Sequence, residues 1–213
     1  MRYDAVIFDI DGTLMDSSES IICAVEDAVR ELGYPKTPSR EEIIPNIGSP
    51  LGKLVIAVNG FVEDEIKRFN PVFDNYKKEH VMNVKMYPGM MELLSDLSAV
   101  SFIGIATNKR EDYTKTLLDN LNISPLCDEI QALDFGYTLK KKDLVANCIK
   151  ASGIEDRSRI VLIGDTRTDE SAARECGVDF IGVTFGFGFK NEADITYGHV
   201  AADVRSVREI LFT

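Results

Sequence analysis

What the chain has little of narrows its class first. Only four of its 213 residues are cysteine and two are histidine. Cys23, Cys127, Cys148 and Cys176 stand far apart and form no CxxC pair; with His80 and His199 as the only imidazoles, a zinc site is not expected. The cysteines read as reduced, mostly buried thiols of a cytoplasmic protein. No apolar run approaches the ~20 residues of a membrane span, so no membrane partner is expected. The opening MRYDAVIFDIDG lacks the basic segment and long apolar core of a secretory signal. Positive charge is in the minority: 24 Lys and Arg against 35 Asp and Glu give a net charge of −11, and so acidic a surface repels nucleic acid. There is no internal repeat and no low-complexity tract. Hydrophobic residues make up 45% and charged residues 28%, the balance of an ordinary folded chain.

What is present reads as alternating strands and helices. Short apolar runs at 5–8, 102–106, 160–163 and 180–183 have the length of buried strands, each followed closely by Gly, Asp or Asn. Between them Met90, Leu93, Leu94, Leu97 and Val100 keep helical spacing. So do Tyr113, Leu117 and Leu121, and then Leu144, Val145, Cys148 and Ile149. Strands alternating with helices point to an α/β fold with a parallel sheet and right-handed crossovers.

One interval breaks the alternation. Residues 16–85 show helical patterning and no convincing strand. Ile21, Val25, Ala28, Val29 and Leu32 form one face, closed by Gly33 with Pro35 beyond. Ser39 and Glu42 have capping-box spacing. Val62, Ile66, Phe69, Phe73, Tyr76 and His80 form a third stripe, and Pro71 inside it predicts a kink or break. His80 on this stripe reads as structural. Residues 1–15 and 86–213 are therefore expected to form the α/β body, and 16–85 an all-helical insertion.

Four clusters carry chemistry. Asp9-Ile10-Asp11-Gly12-Thr13-Leu14 follows the first strand directly, and its four specified residues would match by chance in about one chain of this length per thousand. Open α/β sheets place ligands beyond the carboxyl ends of their strands. A plain turn leaves unexplained why two mutually repelling carboxylates sit there. Gly164-Asp165-Thr166-Arg167-Thr168-Asp169 repeats the pattern; capping of a helix by Asp165 or Thr168 is the simpler account of that cluster. Thr107-Asn108, after the second strand, could hold a phosphate oxygen or simply cap a helix. Lys140-Lys141-Lys142 opens a helix 23–25 residues before Asp165, and at least two of these lysines should be solvated. Together Asp9, Asp11, Asp165 and Asp169 bring about four negative charges to one pocket, which requires compensation. A divalent cation with hard oxygen ligands, Mg²⁺, together with one lysine and a substrate phosphate, accounts for the set.

The order D-x-D-G-T, T-N, Lys, G-D-x-x-x-D resembles the four-motif signature of the haloacid dehalogenase (HAD) superfamily. The closest likeness is to its phosphoglycolate-phosphatase-like branch, whose helical cap follows the first motif. Leu14-Met15-Asp16-Ser17, Tyr87-Pro88-Gly89 and residues 183–188 (VTFGFG) extend the likeness across most of the chain. The resemblance implies a three-layer Rossmann-like core with a small all-helical cap domain. It also implies a Mg²⁺-dependent phosphatase acting through an aspartyl-phosphate. Asp9 would be nucleophile and metal ligand. Asp11 would be general acid and then base, its backbone carbonyl a metal ligand. Thr107 and the Asn108 amide would bind the phosphoryl group, Asp165 would bind the metal and Asp169 would support it. Many relatives carry Lys-Pro at the third motif. Here a T-L-x-K register selects Lys141, with Leu144, Val145 and Ile149 on one buried face behind it, while spacing also permits Lys140. The turn at residues 47–51 suggests Gly48 and Ser49 as cap contacts to the leaving group, or an ordinary turn. Residues 183–189 could be a flexible rim or simple packing. The expected partner is a small phosphorylated metabolite, phosphoglycolate by resemblance, with the protein a monomer or homodimer. A 5'-nucleotidase or pyrophosphatase of the same superfamily, or a phosphoryl-accepting regulatory or binding module without turnover, are the alternatives.

Overall fold

The computed structural model describes residues 2–48, 51–136 and 138–213. The chain divides into two compact units, Met1–Met15 with Met86–Thr213, and Asp16–Lys85. It starts with β1 (Ala5–Phe8) and leaves the first unit through the two-residue β2 (Met15–Asp16). The second unit holds α1 (Ser18–Leu32), α2 (Arg40–Ile43), α3 (Leu51–Asn59) and α4 (Ile66–Glu79). The chain returns through β3 (Lys85–Met86), which pairs with β2. There follow α5 (Met90–Ser98), β4 (Phe102–Arg110), α6 (Glu111–Asn120), β5 (Glu129–Leu133), α7 (Lys141–Ser152), β6 (Ile160–Gly164), α8 (Arg167–Cys176), β7 (Asp179–Val183), β8 (His199–Ala201) and α9 (Val204–Phe212).

The main sheet has the order β5-β4-β1-β6-β7-β8, and every pairing in it is parallel. β1 is central: Phe8 lies opposite Ile105 of β4 and Ile163 of β6, so β1 and β6 end within a residue of each other while β4 runs on to Arg110. The chain builds outward from β1 to β4 and β5, then crosses back to β6 and builds the other way. The crevice at such a reversal is where an open α/β sheet takes its ligand. Strands covered on both faces read as unbroken apolar runs, as β1 and β6 do. One face packs Ala5, Ile7, Leu162 and Phe180 against Leu144, Val145, Cys148 and Ile149 of α7 and Ala172 and Ala173 of α8. Right-handed crossovers put α5 and α6 on the opposite face, where Leu93, Leu94, Leu97, Leu117 and Leu118 are buried. The result is a three-layer α/β body.

The helical unit packs α1 on α4. Val25, Ala28, Phe69 and Ile43 are fully buried, and the rings of Tyr34, Phe69 and Phe73 stack in succession. Gly33, at φ 67°, closes α1, and the Ser39–Glu42 capping box starts α2. His80 Nε2 lies 2.7 Å from Asp27 Oδ2. Of the kink or break expected at Pro71, the break does not occur: the helix runs on from Ile66 to Glu79. Val62 lies ahead of it and is exposed rather than part of its buried stripe.

Candidate functional site

The first cluster is shaped by the end of β1. The Asp9 N–H donates to Ile163 O at 3.0 Å, which carries the sheet pairing one residue past the strand. The chain then turns tightly, with Ile10 O accepting from the N–H groups of Thr13, Leu14 and Met15. Gly12 takes φ +80°, and a Cβ there would run into the Asp165 carboxylate. Only glycine meets both conditions, the left-handed backbone and the close approach.

The second cluster is the junction of β6 and α8. Thr166 is the N-cap: its hydroxyl accepts from the Asp169 N–H, and Asp169 Oδ2 accepts from Thr166 N at 3.1 Å and Thr166 Oγ1 at 2.5 Å. Capping therefore falls to neither Asp165 nor Thr168, which leaves the Asp165 side chain available to the site. Asp165 is fully buried. Its Oδ2 accepts from Phe187 N at 2.7 Å and Gly188 N at 3.2 Å, while its Oδ1 is buried with no hydrogen-bond partner among the described residues. The loop at 183–189, read from sequence as a rim or packing, thus fixes the orientation of this carboxylate.

Between the clusters lies Lys141, at the start of α7 and only 4% exposed. Its Nζ is 2.5 Å from Asp9 Oδ1 and 2.7 Å from Asp169 Oδ1. Lys140 is exposed, and Lys142 pairs with Glu175 at the surface. Burial would push the Lys141 ammonium down, but Asp169 and Asp9 outweigh it and hold its pKa above the usual lysine range. Burial, then repulsion from Asp169 and Asp11, raises Asp9 to about 7 against the pull of Lys141. Asp165 is raised to about 8 by burial, then by Asp169 and Asp9.

β4 runs farther than its apolar stretch suggests. It continues through Thr107 and Asn108 to Arg110, with a bulge against β5 where Thr107 pairs with Ala132 and Arg110 with Leu133. Thr107 is buried and its Oγ1 accepts from Lys109 N at 3.1 Å; Asn108 is half-buried. Lys109, absent from the sequence-based site, is 7% exposed, and its Nζ stands 3.0 Å from Asp11 Oδ1. The only signal for it was a lysine two residues past Thr107, where a strand places side chains on one face. Gly48 sits in a turn of the helical unit at φ 88°, and Ser49 lies outside the described residues.

Asp9, Asp165 and Asp169 offer oxygens that all lie within 4.8 Å of one another. Four carboxylates, counting Asp11, face two ammonium groups. Asp169 spends Oδ2 on Thr166, and its Oδ1, though without a hydrogen bond, lies 2.7 Å from the Lys141 ammonium, whereas Asp165 Oδ1 is buried with neither a hydrogen bond nor an ion pair among the described residues. An all-oxygen donor set with an unsatisfied carboxylate oxygen fits a hard divalent cation.

Comparison with known proteins agrees with this layout. The family model described as haloacid dehalogenase-like hydrolase matches residues 6–183. A phosphoglycolate phosphatase from Nitrosospira multiformis is 31% identical over 196 residues, 86% of this chain and 84% of that protein. A 5'-nucleotidase from Pseudomonas aeruginosa is 26% identical over 99% of this chain and 96% of its own length. Among solved structures, a haloacid dehalogenase-like hydrolase from Streptococcus pneumoniae superposes with a TM-score of 0.86 at 26% identity, covering 99% of this chain and 98% of its own. No helix among the described residues is long and apolar enough to cross a membrane. By motif order, sheet topology and family match, the chain belongs to the haloacid dehalogenase-like hydrolases.

Proposed function

We propose that this protein is a phosphatase that hydrolyses small organic phosphate monoesters with Mg²⁺, through a phosphoryl-enzyme on Asp9. The observation that carries the reading is the placement of Asp9. It sits at the end of the central strand, 2.5 Å from the Lys141 ammonium and within one carboxylate cluster with Asp165 and Asp169. Asp9, Asp165 and the Asp11 backbone carbonyl would hold the cation, with Asp169 anchoring Lys141 behind them. The bound ion supplies charge neutralisation, which lets an anionic carboxylate approach an anionic phosphoryl group.

The protein groups then divide the work. An Asp9 oxygen attacks phosphorus, the ester P–O bond breaks, and its electron pair leaves on the alcohol oxygen, which takes a proton from Asp11. Asp11 next takes a proton from water. The water oxygen attacks phosphorus, the bond to Asp9 breaks, and inorganic phosphate and the Asp9 carboxylate are restored. Lys141 stabilises charge on the transferring group, and the Thr107 hydroxyl and Asn108 amide orient its oxygens. Thr107 is prepared for this role: its oxygen already accepts from Lys109 N, which leaves its proton to be donated.

Phosphoglycolate is the substrate suggested by relatives of that name, and the likeness to a 5'-nucleotidase keeps nucleoside monophosphates in the screen. The four free thiols support a cytoplasmic setting, in which the protein acts as a monomer or homodimer. The test is phosphate release from a panel of small esters, with and without Mg²⁺, by the native protein and Asp9→Asn. Turnover that needs Mg²⁺ and vanishes in the variant is expected. Unchanged turnover in the variant removes Asp9 from its role, and a stable phosphoryl-enzyme without turnover favours a regulatory module.

A further inference from the structure

Hydrolysis by these groups leaves one buried cation without a task. The Lys109 side chain is only 6% exposed, and a buried ammonium is costly unless paired and hydrogen-bonded. Its pairing is incomplete. Asp11 Oδ1 stands 3.0 Å away, yet that oxygen makes no hydrogen bond among the described residues, so the two groups meet in charge but out of line. A second neighbour is the face of Tyr113, 5.6 Å from Nζ to the ring centre. The backbone explains why the head group is held here. The bulge in β4 and the bond from Lys109 N to Thr107 Oγ1 fix the start of the side chain. An ammonium has three donors, and beyond the ion pair with Asp11 none of these makes a hydrogen bond among the described residues.

Position decides what those donors could take. Lys141 already has two carboxylates, Asp9 and Asp169, and stands on the phosphoryl side. Lys109 stands beside Asp11, the group assigned to the leaving oxygen. We propose that Lys109 is a specificity residue that binds a negative group carried by the leaving alcohol, so the preferred substrates are phosphate esters of short hydroxy acids. The inference rests on the phosphatase reading and deepens it. The span is short: hydrogen bonds reach roughly 2.7–3.2 Å, so an ester oxygen on Asp11 leaves room for a carboxylate only one or two carbons away. A neutral leaving group leaves the ammonium unsatisfied, and a site built around a buried polar group discriminates strongly against such an analogue.

The experiment compares 2-phosphoglycolate with ethyl phosphate, which has the same two carbons and no carboxylate. Steady-state rates are measured for the native protein, Lys109→Met and Lys109→Arg. Calorimetric binding is measured in the Asp9→Asn background, where turnover is blocked. The native protein should prefer phosphoglycolate. Lys109→Met should lower kcat/KM for phosphoglycolate about ten- to hundred-fold more than for ethyl phosphate, the worth of one charge-assisted hydrogen bond, chiefly through KM. Lys109→Arg should recover part of the preference, which a fold defect in Lys109→Met would not explain. Equal losses on both esters, or a native protein indifferent to the carboxylate, overturn the assignment while leaving the phosphatase reading intact. Binding of phosphoglycolate that depends on Lys109 without hydrolysis of either ester upholds the assignment and rejects the phosphatase reading.

Discussion

The Lys141 ammonium bridges Asp9 and Asp169, at 2.5 and 2.7 Å, and so ties the carboxyl end of β1 to the first turn of α8. One buried side chain both neutralises the nucleophile's neighbourhood and holds two motifs in register. Removing one member of such a group leaves uncompensated charge, at a cost of about 3–5 kcal/mol. Lys141→Met should therefore lower stability in urea unfolding and cut kcat/KM by about 10²–10³-fold, the effect of losing a donor to the transferring group. Lys140→Ala and Lys142→Ala remove solvated charges and should alter kcat/KM by less than about three-fold. Loss of activity confined to either of those variants would remove Lys141 from its place.

The same carboxylates set a pH dependence with a definite sign. Asp9 and Asp165 are raised from 3.8 to about 7 and about 8, by burial first and then by the carboxylates around them. Between pH 4 and 8 the folded state holds protons that the unfolded chain has released. Stability without metal should thus fall as pH rises through that window, by a few kcal/mol, since each tenfold change in proton affinity is worth about 1.4 kcal/mol. A divalent cation opposes the trend, because it replaces the protons. Melting temperatures in EDTA and in Mg²⁺ should diverge increasingly from pH 5 to pH 8. Asp165→Asn keeps an acceptor for Phe187 N and Gly188 N but removes the buried charge. It should be more stable than the native protein at pH 8 in EDTA, and should lose most of the stabilisation by Mg²⁺. A melting temperature in EDTA that climbs toward pH 8 would contradict the sign.

Much of the body was legible in the sequence because its central strands are buried on both faces and read as short apolar runs. The rest was hidden for physical reasons. β5, Glu129–Leu133, is an edge strand with every residue half-buried, so Glu129 and Gln131 interrupt the apolar signal. β8 has three residues, too few for any period. Asp9, Asp11, Asp165 and Lys141 stood out through motif order and through the buried face behind Lys141. Lys109 did not, since a lysine after an apolar run is ordinarily solvated and no local pattern announces a buried one. The role of the 183–189 loop was equally hidden, because Phe187 meets a carboxylate 22 residues earlier in the chain.

Pro71 shows local preference losing to packing. It lies inside α4, past the first turn, where a missing N–H and a ring clash cost about 3 kcal/mol. Phe69 and Phe73, both buried and stacked at 5.3 Å, flank it and hold the helix against α1. The expected result is that Pro71→Ala stabilises the protein by about 1–2 kcal/mol, since the relieved helix outweighs the entropy returned to the unfolded chain. Phe69→Ala should destabilise it by about 3–5 kcal/mol. Urea unfolding measures both; a destabilised Pro71→Ala would mean that the proline fits its helix without strain.

The orientation of Asp165 depends on glycines that let backbone press against it. A Cβ on Gly186 would collide with the Gly12 carbonyl and the Asp165 side chain, and one on Gly188 with the Asp165 carbonyl. Backbone on both sides cannot move aside cheaply, so Gly186→Ala must shift either the loop or the carboxylate it positions. Displacing a group that orients a metal ligand typically costs 10–100-fold in affinity. Gly186→Ala should therefore weaken Mg²⁺ binding, read by calorimetry on the substrate-free protein, by at least about ten-fold. Gly153→Ala is the fitting control. Gly153 also has positive φ, at 67°, but its Cβ would meet nothing within 4 Å. Strain there should cost about 1–2 kcal/mol of stability and leave Mg²⁺ affinity alone. If both variants lose stability and neither loses affinity, the loop is packing and Asp165 holds its aim without it.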